Sequence, residues 1–289
     1  VRQLWDGTPA RADRSLCFFA HWDPDGELDD YVLHSIEAWR AVGFDVVLIS
    51  TSAELTPQAI ERARACCSHV IWRQNVGLDF ASWKAGFDRV VPVRGEPVRM
   101  VLTNDSVFGP FKPLGPLVEK ANPHALTGLT DSFEHGHHLQ SYCLLLGEPL
   151  LASRAFRTFW KGIRLLSDKD TIIQWYELGF SRSMRSGGQP VTPLFAFKDV
   201  VEKARRNSSF QFAQIPNRWL NPTLHLWDVL IEDFDFPFLK TELLKRNRIA
   251  SPRLQRWSEL VPPAQRELVT AIERHVARVT RDRGTAAAR

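Results

Sequence analysis

Along the first half of the chain, short apolar runs alternate with longer stretches of helical periodicity, at intervals that suit successive strand–helix–strand units. SLCFFAHW (15–22) is apolar and ends in polar residues, as a buried strand does. ELDDYVLHSIEAWRAVG follows, with Leu28, Val32, Ile36 and Trp39 at helical spacing and Gly43 as its stop. FDVVLISTS is the clearest strand, short and rich in Phe, Val and Ile, which argues for a parallel strand buried on both faces. TPQAIERARACC predicts a helix capped by Thr56 with Pro57 at its first position. HVIWRQ then predicts a strand, DFASWKAGFDRV a helix and RMVLTND another strand. Here the alternation stops. HALTGLTDS and HLQSYCLLLG both read as strands, with only a His-rich loop between them.

From Pro149 onward the pattern is mainly helical. TIIQWYELGFSRSMRSGG places Ile172, Tyr176, Phe180 and Met184 on one stripe and ends at Gly187 and Gly188. LHLWDVLIEDF and KTELLKRN are shorter helical pieces, and VTAIERHVARVTRDRGTAAAR reads as a basic amphipathic helix fraying into disorder. No internal repeat and no low-complexity linker divides two cores.

Composition narrows this picture. At 289 residues, 44% apolar and 24% charged, the chain suits one large α/β domain with its own core. Ten Trp and eighteen Phe exceed a small core's needs, so some rings are expected at a cleft or partner surface. A net charge of +4 suits anionic ligands or an acidic membrane face but is too mild for nucleic-acid binding. No apolar run spans a bilayer, and VRQLWDGTPARADRSL lacks a signal-peptide core. The expected location is cytoplasmic, with peripheral association at the inner membrane face in reach. The chain opens on Val1, not Met, as an excerpt of a longer protein would. Cys17, Cys66, Cys67 and Cys143 form no CxxC, and the expectation is reduced, buried thiols.

In an open α/β sheet, ligands collect at the carboxyl ends of strands where the strand order switches. The predicted strand ends are His21-Trp22-Asp23, Ser50-Thr51-Ser52, Asn75-Val76-Gly77 and Thr103-Asn104-Asp105-Ser106. All are short and polar. Asn104-Asp105-Ser106 fits either a divalent cation gripping a pyrophosphate or a plain turn. In Asn75–Asp79, Gly77 permits a tight turn, and Asp79 either caps a helix or accepts hydrogen bonds from a ribose or base. The acids Asp23, Asp25, Glu27, Asp29 and Asp30 do not fit an EF-hand and are read as helix-terminus charges. His135, His137 and His138 match no common zinc spacing and are read as a polar loop near substrate.

Several long blocks carry a resemblance: AHWDPDGELDDYVL, NVGLDFASWKAGF, LTNDSVFGP, GLTDS with HLQSYCLLL, YELGFSRSM and NPTLHLWDVLI. In this order, from Cys17 to Lys245, they resemble the rhamnan synthesis protein F family. The resemblance implies a GT-A-like, Rossmann-related α/β fold: a mixed, mainly parallel sheet flanked by helices, with a helical C-terminal portion. The implied domain is 15–250, with an N-terminal extension at 1–14 and a C-terminal helical extension at 251–289. It implies a glycosyltransferase moving rhamnose from dTDP-L-rhamnose to a glycan or lipid-linked glycan acceptor of a bacterial surface polysaccharide.

By the same resemblance Asn75, Gly77 and Asp79 match a donor-binding turn. Asn104-Asp105-Ser106 stands where a DxD metal motif would be, so Asp105 would hold Mg²⁺ or Mn²⁺. Glu177 stands where the catalytic base would lie. The motif here keeps one carboxylate, and Glu177 lacks an acidic neighbour. Asp131 and then Asp228 are the other candidate bases. Arg73 and Lys84 are candidate partners of the diphosphate, Thr51 and Ser52 of the base or ribose, and His225 of metal or phosphate. Trp83, Trp175 and Trp227 are candidate sugar-stacking rings beside a plain core role. Two rivals stand: a noncatalytic transferase-like binding module, and a different α/β enzyme, against which the absence of GxGxxG, GxxxxGK[ST] and GxSxG speaks.

Overall fold

The structure, a computed structural model, describes residues 1–7, 15–206, 212 and 214–286. Residues 8–14 of the expected N-terminal extension, and 287–289 of the stretch expected to fray, lie outside the described residues. The chain runs β1 (Arg2–Asp6), β2 (Ser15–His21), α1 (Asp30–Ala41), β3 (Asp45–Ser50), α2 (Pro57–Cys66), β4 (His69–Trp72), α3 (Leu78–Arg89) and β5 (Arg99–Asn104). Then come β6 (Val107–Phe108), β7 (Leu126–Ser132), β8 (His138–Leu139), β9 (Cys143–Gly147), β10 (Val191–Phe195) and β11 (Leu239–Lys240). The main sheet has the order β1-β4-β3-β2-β5-β9-β7-β10, with β8 on β7. Strands β4, β3, β2 and β5 are parallel, β9 is antiparallel to both neighbours, and β10 is parallel to β7. This is the mixed, mainly parallel sheet expected from the sequence.

The continuous apolar runs form these strands because both faces are covered. On β2, Cys17 and Phe19 join one core while Leu16, Phe18 and Ala20 join the other, the period of two that a strand imposes. Helices α1 and α2 cover the first face with Ile36, Trp39 and Ala63. Helix α3 and the helices Arg154–Gly162 and Leu178–Ser186 cover the second with Phe80, Trp83, Trp160 and Phe180. Helix α3 lies so close on β2 that a Cβ at Gly86 would meet the Phe18 ring at 2.8 Å. Truncating Phe18 in so tight a contact would cost about 3–5 kcal/mol. Thr56 caps α2 as expected, accepting from the Ala59 N–H at 3.1 Å.

The structure departs from parts of the predicted pattern. β10 lies within the stretch read as helical, and β1 lies within the stretch read as an extension; each is a short strand on an edge of the sheet. HLQSYCLLLG is split into β8 and β9 rather than forming one strand. The helix expected over TIIQWYELGFSRSMRSGG is interrupted by a π turn at Ile173–Glu177. All four cysteines are buried free thiols. Among the described residues no helix is long and apolar enough to cross a membrane.

Candidate active site

Strand β2 has β3 on one side and β5 on the other, so the strand order reverses between β2 and β5. Side chains leaving the carboxyl ends of β2 to β5 therefore share one rim, where the loops diverge and leave a crevice. On its β2–β3 side the rim is held from within. Ser50 Oγ stands 3.2 Å from His21 Nδ1 and donates to Ser52 Oγ at 3.2 Å. Ser52 Oγ accepts the Asp23 N–H at 2.9 Å, and Thr51 Oγ1 donates to the His21 carbonyl at 3.2 Å. Thr51 and Ser52 are buried and tie two strand tips together. Burial pushes the His21 imidazole down to about 4, which keeps it neutral at neutral pH.

The donor-like turn after β4 is built by its own arginine. Buried Arg73 donates to the Val76 carbonyl and, at 3.0 Å, to Ser82 Oγ. Gly77 then opens α3 at φ +86°, a conformation few other residues adopt. Asn75 is exposed on this turn, and Asp79 in the first helical turn faces the tip of β5.

A hydrogen-bonded path crosses the tip of β5. Asn104 Nδ2 donates to Asp79 Oδ2 at 2.6 Å, and Asn104 Oδ1 accepts from Ser106 Oγ at 2.6 Å and the Ser106 N–H at 3.1 Å. Lys240 Nζ, from β11, donates to Ser106 Oγ at 3.1 Å and stands 4.7 Å from the centre of the Tyr142 ring. Asp105 faces the β2 tip, where its Oδ2 accepts the Trp22 N–H at 2.7 Å. Burial pushes Asp105 up to about 6. Burial and then the charge of Asp105 push Asp79 to about 6 as well. Burial lowers Lys240, while Glu177 and Asp79 pull it back up.

The path opens into a cleft of about 430 Å³ whose wall includes Ser106, Lys240, Glu177, Gln140, Asn221 and Glu134. His135 and His138 of the His-rich loop also reach it. Glu177 closes the π turn and accepts on one oxygen from the Ser141 N–H at 3.2 Å and Ser141 Oγ at 2.9 Å. A π turn within an α-helix re-aims the side chains around it and is frequent at functional sites.

Other candidates are placed apart. Asp131 lies at the end of β7, accepting the Phe197 N–H at 2.6 Å and pairing with His137 at 2.7 Å. Lys84 pairs with Asp88 on the outer face of α3. His225 Nδ1 accepts the Asn221 N–H at 2.9 Å, one residue beyond the cleft-lining Leu224. Asp228 pairs with Arg253. Trp83 and Trp227 are buried in the core, while Trp175 is exposed.

A second acidic group occupies the β2 side of the rim. Asp23, Asp25 and Asp29 all receive Arg278 from the helix Arg266–Ala286, and Asp29 also receives His275. Ligand atoms of Asp23, Asp29 and His275 lie within 4.8 Å of one another. A guanidinium already occupies that cluster. Asp79, bonded to Asn104, and Asp105, next to Asn104 in the chain, are part-buried carboxylates, and oxygen donors of this kind are the chemistry that Mg²⁺ or Mn²⁺ takes. Lys240, Ser141, His275 and Arg278 had no local signal in the sequence. Each reaches the rim from a distant element.

The chain matches the family Rhamnan synthesis protein F over residues 46–276. It is 26% identical over 205 residues to the uncharacterized protein y4gN of Sinorhizobium fredii, covering 69% of this chain and 52% of that one. It is 28% identical over 212 residues to the virulence protein VirA of Vibrio anguillarum, covering 68% of each chain. The alignment thus spans about half the length of the first relative and two thirds of the second. Among solved structures, the galactosyltransferase LgtC in complex with donor and acceptor sugar analogs aligns with a TM-score of 0.38 at 12% identity, covering 88% of this chain and 99% of that one.

Proposed function

The chain belongs to the rhamnan synthesis protein F family, and from that premise we propose that it is a nucleotide-sugar glycosyltransferase. It moves a hexose, rhamnose first, from a nucleoside-diphosphate donor, dTDP-L-rhamnose first, to a glycan or lipid-linked glycan acceptor. The observation that carries this reading is the Asp79–Asn104–Ser106–Lys240 path at the switch point, opening on a cleft that also holds Glu177. The mixed, mainly parallel sheet supports the GT-A-like, Rossmann-related arrangement.

In this reading the donor's base and ribose lie along the rim formed by Thr51, Ser52 and the Asn75–Asp79 turn. Its diphosphate lies against Ser106 and Lys240, whose ammonium meets the negative charge that grows as the glycosidic bond breaks. A divalent cation held by Asp105 and Asp79 would supply further charge stabilisation to the leaving diphosphate. Glu177 takes the proton of the acceptor hydroxyl as its oxygen bonds to the anomeric carbon and the diphosphate departs with the bonding pair. Attack from the face opposite the diphosphate inverts the anomeric centre. The two Ser141 donors leave the Glu177 carboxylate held in one orientation.

The test is a thermal-shift panel of nucleoside-diphosphate sugars with and without Mn²⁺, followed by assay of nucleoside diphosphate release. A ligand that binds only the folded state raises the melting temperature. The expected result is a shift with dTDP-rhamnose, larger with Mn²⁺, and metered release of dTDP. A shift without turnover on any acceptor would favour a noncatalytic module. No shift with any donor would overturn the proposal.

A further inference from the structure

The face formed by the helix Arg154–Gly162 and the loop after it gathers three exposed cations that, among the described residues, take part in no ion pair with an acid. Some exposed arginines elsewhere are answered by acids, as Arg40 is by Glu37 and Arg256 by Glu259, and others, such as Arg182 and Arg246, are not so answered among the described residues. Arg157, Lys161 and Arg164 are exposed and take part in no ion pair among the described residues. Arg157 and Lys161 are four apart on the outer face of a helix whose inner face buries Phe156 and Trp160.

This cationic face carries exposed apolar tips. The hydroxyl of Tyr176 accepts the Arg164 N–H at 2.9 Å and donates to the Arg164 carbonyl at 2.7 Å, so the loop is pinned there. Leu165, the next residue, stands 69% exposed, and Trp175, the residue before the pinning tyrosine, 63% exposed. Leu165 lies beside the start of α3, where a Cβ on Gly77 would be 3.7 Å from its Cδ2, and Leu78 is exposed there too. The acids nearby are few. Asp168 caps its own helix by accepting the Thr171 N–H at 2.7 Å, and Asp170 follows it. Asp88 and Glu96 share a cavity wall with Arg157 and Lys161, but Asp88 is taken by Lys84.

Single exposed apolar residues are ordinary. Here an exposed leucine of the pinned loop and an exposed tryptophan of the π turn that pins it accompany cations that take part in no ion pair among the described residues. We propose that this face docks on an anionic lipid bilayer, with Arg157, Lys161 and Arg164 against the headgroups and Leu165 and Trp175 entering the interface. Tryptophan suits the headgroup level, and each basic residue near an anionic leaflet strengthens binding about five-fold. A second copy of the same face would bring like charges together, which disfavours self-association here. The inference does not rest on the proposed transfer activity, although docking would set the α3 side of the crevice close to the lipid.

The test is co-flotation with vesicles of equal parts phosphatidylglycerol and phosphatidylcholine, against vesicles of phosphatidylcholine alone. The protein is expected to float with the anionic vesicles only and to be released by salt. The triple variant Arg157→Glu, Lys161→Glu, Arg164→Glu should lose at least ten-fold in binding, and Leu165→Ser should lose several-fold while keeping the salt dependence. Both sets of substitutions are at exposed positions, and unchanged thermal melting of each variant checks the fold. No flotation with anionic vesicles, equal flotation with neutral ones, or undiminished binding by the triple variant would each overturn the proposal. So would dimerisation that the triple substitution abolishes, since that assigns the face to a second copy.

Discussion

Two acidic groups share the rim of the crevice, and they are neutralised in opposite ways. On the β2 side, burial alone would raise Asp29, but hydrogen bonds from His275 and Arg278 hold its carboxyl down at about 2. Arg278 reaches Asp23 and Asp25 as well, so these charges are answered from within the fold. On the β5 side, Asp79 and Asp105 are pushed up to about 6, and neither takes part in an ion pair among the described residues, while Lys240 bonds Ser106 at the end of the path. One cluster is finished as structure. The other is left short of positive charge beside an open cleft, and a site awaiting a charged ligand has that signature.

The largest test of this contrast is Glu177→Gln. Loss of a general base across the cleft is expected to lower transfer about a thousand-fold with donor binding retained by calorimetry. If donor binding disappears instead, Glu177 is not the base. Asp105→Asn comes next, with transfer expected to fall about a hundred-fold and the melting temperature not to fall. Near-normal turnover by a folded Asp105→Asn protein would remove that residue from the site. Arg278→Ala should act on the other cluster and mainly on stability. It leaves buried Asp23 without its cation, for an expected loss of about 2 kcal/mol after allowing for partial exposure. Calorimetry should then show a fall of about 4–8 °C.

The smallest effect is a pH slope of opposite sign in the two clusters. Asp79 and Asp105 bind protons more readily folded than unfolded, so their contribution to stability falls as pH rises from about 4 to about 6. Asp29 is the reverse: its stabilisation is present above about pH 4 and is lost as pH falls toward 2. Thermal melts of the unmodified protein are expected to carry a descending contribution between about pH 4 and 6 that the double variant Asp79→Asn, Asp105→Asn lacks. An identical profile in both would mean that the two carboxylates are solvated and the contrast between the clusters is unreal.

Much of the sheet was legible because β2 to β5 are buried on both faces. Full burial demands unbroken apolar runs, and the polar residues that end those runs mark the rim. β10 and β1 were illegible for the complementary reason. Each is an edge strand of a few part-buried residues, and β10 carries Pro193, which an edge tolerates and a central strand does not. The π turn at Ile173–Glu177 was hidden because the buried stripe Ile172, Tyr176, Phe180, Met184 reads as an ordinary helix through it.

By itself, then, the amino-acid order determined the strand–helix alternation, the polar strand tips, and Asn104-Asp105-Ser106 as the sharpest of them. These depend on periodicity and local backbone chemistry, which neighbours in sequence carry. Only the tertiary structure decided that Lys240 meets Ser106, that Ser141 holds Glu177, and that Arg278 answers Asp23, Asp25 and Asp29. Charge balance in a folded protein is set by which distant segments converge, and no local pattern encodes that meeting.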